Sequence, residues 1–125
     1  MILLSYNKED YYEKITINVR EKINSPSALT REQGKIIYNE IIASINSGNS
    51  ICLDFSDIES LITPFLNVAI GKLYENFSSE ELSRFIEFSN IPQGKAASFN
   101  LVINNAKRYY ASSNNFEKIV KDAID

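Results

Sequence analysis

The chain has 125 residues, a formal charge of −3, 44% apolar residues, seven Phe, seven Tyr, one cysteine and no histidine. That length fits one domain spanning 1–125, and the apolar share is enough to build a core, which argues against whole-chain disorder. The lone Cys52 excludes an internal disulfide, the missing histidine excludes His/Cys zinc sites and Ser-His-Asp or Cys-His nucleophiles, and the charge balance gives no clustered basic surface for nucleic acid.

From the N-terminus, residues 2–5 form a short apolar run that suits an edge strand; it is too short, and lacks the basic start, for a signal peptide. Ile15, Ile17 and Val19 alternate with Thr16 and Asn18, a period of two in β-branched residues that predicts a strand. Asn24-Ser25-Pro26-Ser27 predicts a loop. Thr30 and Gln33 have capping-box spacing and open a helix whose stripe is Ile37, Tyr38, Ile41, Ile42 and Ile45. Ser47-Gly48-Asn49 closes it, with Gly48 suited to a left-handed terminal residue.

Ile51, Leu53 and Phe55 predict the next strand, with Cys52 on its opposite face; the near-continuous apolar run predicts burial on both sides. Thr63-Pro64 reads as N-cap and first position of a second helix. That helix runs to Phe77 and is apolar around much of its circumference, which predicts that it is heavily buried or carries an interface. Ser79-Glu80-Glu81 starts a single helical turn, residues 84–89 predict a strand, and Asn90, Pro92 and Gly94 break the chain. Phe99, Val102, Ile103, Ala106 and Tyr110 share one face of a third helix over about 97–111. Ser112-Ser113-Asn114 interrupts it before a last short helix from Phe116 to Ile124. Strands alternating with helices predict an α/β fold: a mixed sheet of four to five strands with helices packed against it. No apolar stretch reaches membrane-spanning length, so the expected setting is the cytoplasm, without membrane contact.

Four well-separated glycines, at 34, 48, 71 and 94, give no phosphate-cradling loop, so no cofactor is expected. Asp54, Asp57 and Glu59 crowd the end of a strand, where α/β sheets often hold ligands. Without an accompanying base or nucleophile they read more simply as a solvated loop, and a metal-assisted enzyme built on them is the alternative function. Cys52, with nothing basic adjoining it, reads as a buried structural thiol.

One segment is more specific. Residues 51–74, from Ile51-Cys52-Leu53-Asp54-Phe55-Ser56 through Thr63-Pro64-Phe65-Leu66 to Gly71-Lys72-Leu73-Tyr74, resemble the strand-loop-helix core of the STAS domain of bacterial anti-sigma factor antagonists. More closely they resemble the STAS-like family of unknown function, and the flanking segments Thr30–Lys35 and Ile103–Tyr110 extend that likeness over roughly 15–111. The resemblance implies a STAS-like fold and a non-enzymatic protein-binding regulator. Its implied partner is a histidine-kinase-like ATPase or an anti-sigma factor, met through the loop 56–63 and the start of the following helix. Ser56, Asp57, Thr63, Phe65 and Asn67 are the candidate contact residues. In the antagonists a partner kinase phosphorylates a hydroxyl residue in an Asp-Ser-Ser/Thr-Gly motif. An ungapped count from Leu53-Asp54 places that motif on Ile62-Thr63-Pro64-Phe65, so the phosphorylated position is Pro64, which cannot carry phosphate. Thr63 is the adjacent hydroxyl and the candidate phosphorylation site. A prophage or defence accessory subunit would show the same sequence features.

Overall fold

The computed structural model describes the backbone of residues 13–124 and the side chains of residues 13–111, so the apolar run at 2–5 lies outside the described residues. β1 (Glu13–Asn18) stops one residue before Val19, because the Asn18 side chain accepts the Glu21 backbone N–H and so caps a short helix, α1 (Val19–Ile23). Val19 and Ile23 are buried from that helix, not from a strand. Asn24 closes α1 in a left-handed conformation. Part of the expected loop then becomes β2 (Ser27–Ala28).

α2 (Arg31–Asn46) opens with the capping box that its sequence spacing predicts. The Thr30 hydroxyl accepts from Gln33 N at 3.1 Å, and Gln33 Oε1 accepts from Thr30 N at 3.0 Å and Leu29 N at 2.8 Å. Ile37 and Ile41 are buried, with Tyr38, Ile42 and Ile45 packed around them, and Gly48 follows at φ +83°. β3 (Asn49–Asp54) is the middle strand of a parallel sheet ordered β1-β3-β5, with Ile15 opposite Ile51 and Ile51 opposite Ile86. β4 (Ser60–Leu61) pairs parallel with β2 as a separate two-stranded ribbon. The described residues therefore hold three strands plus two, all parallel, instead of one mixed sheet of four or five.

The sheet is buried on one face only. Ile17, Ile51 and Leu53 point into the core, whereas Ser50, Cys52 and Asp54 on the other face of the same central strand remain partly exposed. The expectation of burial on both sides fails because alternate positions of β3 are Ser, Cys and Asp, small or polar groups that tolerate water. Cys52 is accordingly a partly exposed thiol 3.3 Å from the Ser89 hydroxyl, not a buried one. Lys14 and Glu87 pair across the open face, from one edge strand to the other.

α3 (Thr63–Ala69) differs from expectation at both ends. Its N-cap is Ile62, with no side-chain hydrogen bond, and Thr63 already has helical geometry. Thr63 therefore caps nothing, because the β2–β4 ribbon carries the extended backbone as far as Ile62, whose N–H donates to Ala28 O. At Ile70 the helix tightens into a 3₁₀ turn, Gly71–Glu75, so the long helix to Phe77 does not form. A 3₁₀ turn stacks residues i and i+3, and it brings Ile70 and Leu73 together into the core. Phe65, Leu66, Ala69, Ile70 and Leu73 are all buried, so the apolar circumference is used up inside the fold.

α4 (Ser79–Phe85) grows from the expected single turn through a second capping box, Ser78 with Glu81, and takes Arg84 and Phe85 from the expected strand. β5 (Ile86–Ser89) follows. α5 (Ala96–Ile124) then runs without a break through Ser112-Ser113-Asn114. Ser and Asn lower helix propensity by only about 0.5 kcal/mol each, and neither Gly nor Pro is present to end the helix. Phe99 is wedged edge-on against Phe55 at 5.2 Å and Phe88 at 5.4 Å, which ties α5 to the ends of β3 and β5.

The tightest approach lies between α2 and α3. A Cβ on Gly34 would stand 2.6 Å from Phe65 O, 3.0 Å from Val68 Cβ and 3.2 Å from Ala69 N. Gly34→Ala is expected to destabilise the protein by about 1–3 kcal/mol through overpacking against backbone, outweighing a helix-propensity gain of about 1 kcal/mol. At Gly71 the nearest atoms would be 3.5 Å away, an ordinary contact, so Gly71→Ala should cost far less. Urea denaturation of the two variants checks the contrast.

Candidate functional site

β3, β5 and the loop after β3 meet at one carboxylate. Asp54 Oδ1 accepts hydrogen bonds from Ser56 N at 2.9 Å, Ser56 Oγ at 2.7 Å and Asn90 Nδ2 at 2.8 Å. Asn90 Nδ2 also donates to Ser56 Oγ at 3.0 Å, and Phe55 N donates to Ser89 O. These donors favour the charged form, so Asp54 is held below the ordinary carboxylate range, first by Asn90 and then by Ser56, against a smaller opposing effect of desolvation. Asn90 reads in the sequence only as a chain break. Its place just after a strand, where Asn adopts the left-handed conformation it shows here (φ 55°), is the one local signal for its role.

From this hub the loop runs back to α3. Phe55 O accepts from Ile58 N across a turn with Asp57 at φ 61°, and Ile58 is buried beneath it. Glu59 N and Ser60 N both donate to Pro26 O, and Gln33 Nε2 donates to Ser27 O, so the loop, β2 and the start of α2 form one braced unit. The candidate contact residues separate here. Asp57, Thr63 and Asn67 are exposed; Ser56 is half-buried with its hydroxyl donated to Asp54; Phe65 is fully buried and cannot meet a partner. Leu29 and Ile62, which the sequence reading did not single out, are exposed at 41% and 42%. They stand one residue beyond the paired Ala28 and Leu61, so they are neighbours at the entrance to α2 and α3.

Asp54, Asp57 and Glu59 do not converge. Asp54 is spent on Ser56 and Asn90, and among the described residues no three Asp, Glu, His or Cys side chains are grouped as metal ligands. Among the described residues no helix is long and apolar enough to cross a membrane.

Residues 33–93, from the first turn of α2 past the end of β5, match the family described as a STAS-like domain of unknown function. The chain carries a STAS-like domain there, with the mixed helix-and-strand architecture that the resemblance implies, on fewer strands. No curated protein and no solved structure matches the chain.

Because the folded-state pKa of Asp54 is lowered, its contribution to stability is complete above about pH 4 and is lost as the pH falls below that range. Asp54→Asn is expected to lower stability at neutral pH by about 1–2 kcal/mol and to flatten the acid limb of the stability profile. Denaturation midpoints measured from pH 3 to pH 7 on both proteins check the sign. Thr63→Ala, which removes no cap, is expected to change stability by less than about 0.5 kcal/mol in the same assay.

Proposed function

We propose that this domain is a non-enzymatic protein-binding regulator, resembling anti-sigma factor antagonists. Its partner is a histidine-kinase-like ATPase or an anti-sigma factor, engaged through the loop 56–63 and the first turns of α3. The observation that carries this reading is the exposure of two neighbouring large apolar residues, Leu29 and Ile62, at the entrance to α3. Asp57 on the loop, and Thr63 and Asn67 on the first turns of α3, are exposed as well. Apolar side chains rimmed by polar ones, on a braced loop and a rigid helix start, favour association with another protein. The hydrogen bonds around Asp54 and Pro26 support a pre-formed surface, which lowers the ordering cost of binding.

Phe65 belongs to the core under this surface and does not contact the partner. Pro64 stands where the antagonists carry phosphoserine, so recognition here does not depend on phosphate at that position. Thr63 is the exposed hydroxyl next to it, and its hydroxyl makes no capping bond. A phosphate added there would place negative charge on the apolar patch and break the complex.

The test is calorimetric titration of the purified chain with the histidine-kinase-fold ATPases and anti-sigma factors of its own genome. One of them is expected to bind, and Ile62→Asp and Asn67→Arg are each expected to weaken that binding at least about tenfold, equal to 1.4 kcal/mol, with thermal stability unchanged. Thr63→Glu should behave likewise and Thr63→Val should not. Binding unchanged by all three charged variants moves the interface elsewhere, and no binding by any of these proteins sinks the reading.

A further inference from the structure

α4 packs mainly on β3 and β5, whereas α5 packs mainly on the 3₁₀ turn Gly71–Glu75 and on α3. Between the two helices, over the edge strand β5, lies a cleft of about 220 Å³. Its apolar wall is made by Ile70, Leu73 and Leu82, which are buried, and by Ile86, Phe88 and Ile103, which are only half-buried. The core is therefore left open to water on this side. An apolar cavity of about 150 Å³ holds one benzene ring, so by volume this cleft takes roughly six to eight carbons. Lys107 is the one charged residue among the described residues that line it.

The polar groups of the cleft gather at one end. Tyr74, Ser79 and Lys107 also line a wider outer hollow of about 440 Å³, so they form the rim where the two spaces meet. Among the described residues the Lys107 ammonium makes no ion pair, and the Tyr74 and Ser79 hydroxyls make no hydrogen bond. Burial pushes the Tyr74 phenol up, so it stays a hydrogen-bond donor at neutral pH. One cation and two hydroxyl donors around a single opening match a carboxylate, which accepts through both oxygens. Glu75 lines only the outer hollow, where it repels a second negative charge. The charge complement of the rim is thus a monoanion, not a dicarboxylate or a phosphate dianion.

We propose that this cleft binds a small amphipathic monocarboxylate, with its apolar tail between α4 and α5 and its carboxylate at Lys107, Tyr74 and Ser79. An apolar pocket with a few convergent polar groups is the common form of a small-molecule site. The tail displaces water from Ile86, Phe88 and Ile103, and the carboxylate supplies the acceptor that the three rim groups lack. Neither Leu29, Ile62 nor any residue of the loop 56–63 lines the cleft, so the site is independent of the partner reading above.

Calorimetric titration of the 125-residue chain with octanoate tests it. Saturable binding at a single site is expected, with a Kd below about 1 mM. Affinity is expected to rise by up to about fourfold per methylene from butanoate to octanoate. It then levels off towards dodecanoate, because the tail has filled the cleft. Lys107→Glu, at an exposed position, is expected to weaken octanoate binding about tenfold or more and to favour octylammonium instead. Ser79→Phe, which fills the rim, is expected to abolish binding of both probes, with thermal melts showing that each variant is folded. No saturable octanoate binding up to about 5 mM overturns the proposal, as does binding indifferent to Lys107→Glu or to Ser79→Phe. Affinity that keeps rising through dodecanoate marks an open apolar surface and overturns it too.

Discussion

The closeness of α2 to α3 at Gly34 is the constraint on which the arrangement of this domain rests. Any side chain at that position would press into the backbone of Phe65 and Ala69. Contact at backbone distance lets Ile37 and Ile41 of α2 reach the same core as Phe65, Leu66 and Ala69 of α3. It also fixes where α3 begins. The entrance to α2 is locked by the Thr30–Gln33 capping box, and Gln33 is bonded in turn to Ser27 O, so the β2–β4 ribbon, the loop 56–62 and the first turn of α3 take their positions from α2.

A second constraint works from the sheet side. The three parallel strands end together, and Asp54 converts that meeting point into a hydrogen-bonded junction of β3, the following turn and Asn90. A carboxylate satisfied by three donors is stable as a charge without a metal or a cationic side chain beside it. Beyond the paired Ala28 and Leu61, Leu29 and Ile62 are left exposed at the entrance to α2 and α3.

Short-range features of this chain show in its sequence, and long-range ones do not. Caps were legible: Thr30 with Gln33, and Gly48 as the left-handed end of α2, depend on neighbours within four residues. The buried stripes of α2 and α5 were legible for the same reason, since periodicity is local. Thr63 misled because Thr-Pro at a helix start fits two registers one residue apart, and only the pairing of Ala28 with Leu61 selects the one in which Ile62 is the cap. Phe65 misled because an apolar residue beside a candidate surface has the same local pattern whether it faces in or out.

By itself the sequence determined the α/β class, the STAS-like resemblance, both ends of α2 and most of the core. It also fixed the absence of histidine and of paired cysteines, because these follow from composition and short-range spacing. Tertiary structure alone decided that the sheet is three strands covered on one side, that the helix after Thr63 tightens at Ile70, and that Asn90, thirty-six residues away in sequence, completes the Asp54 junction. It alone left Leu29 and Ile62 outside. Each of these depends on which segments meet across the fold, and local periodicity does not specify that meeting.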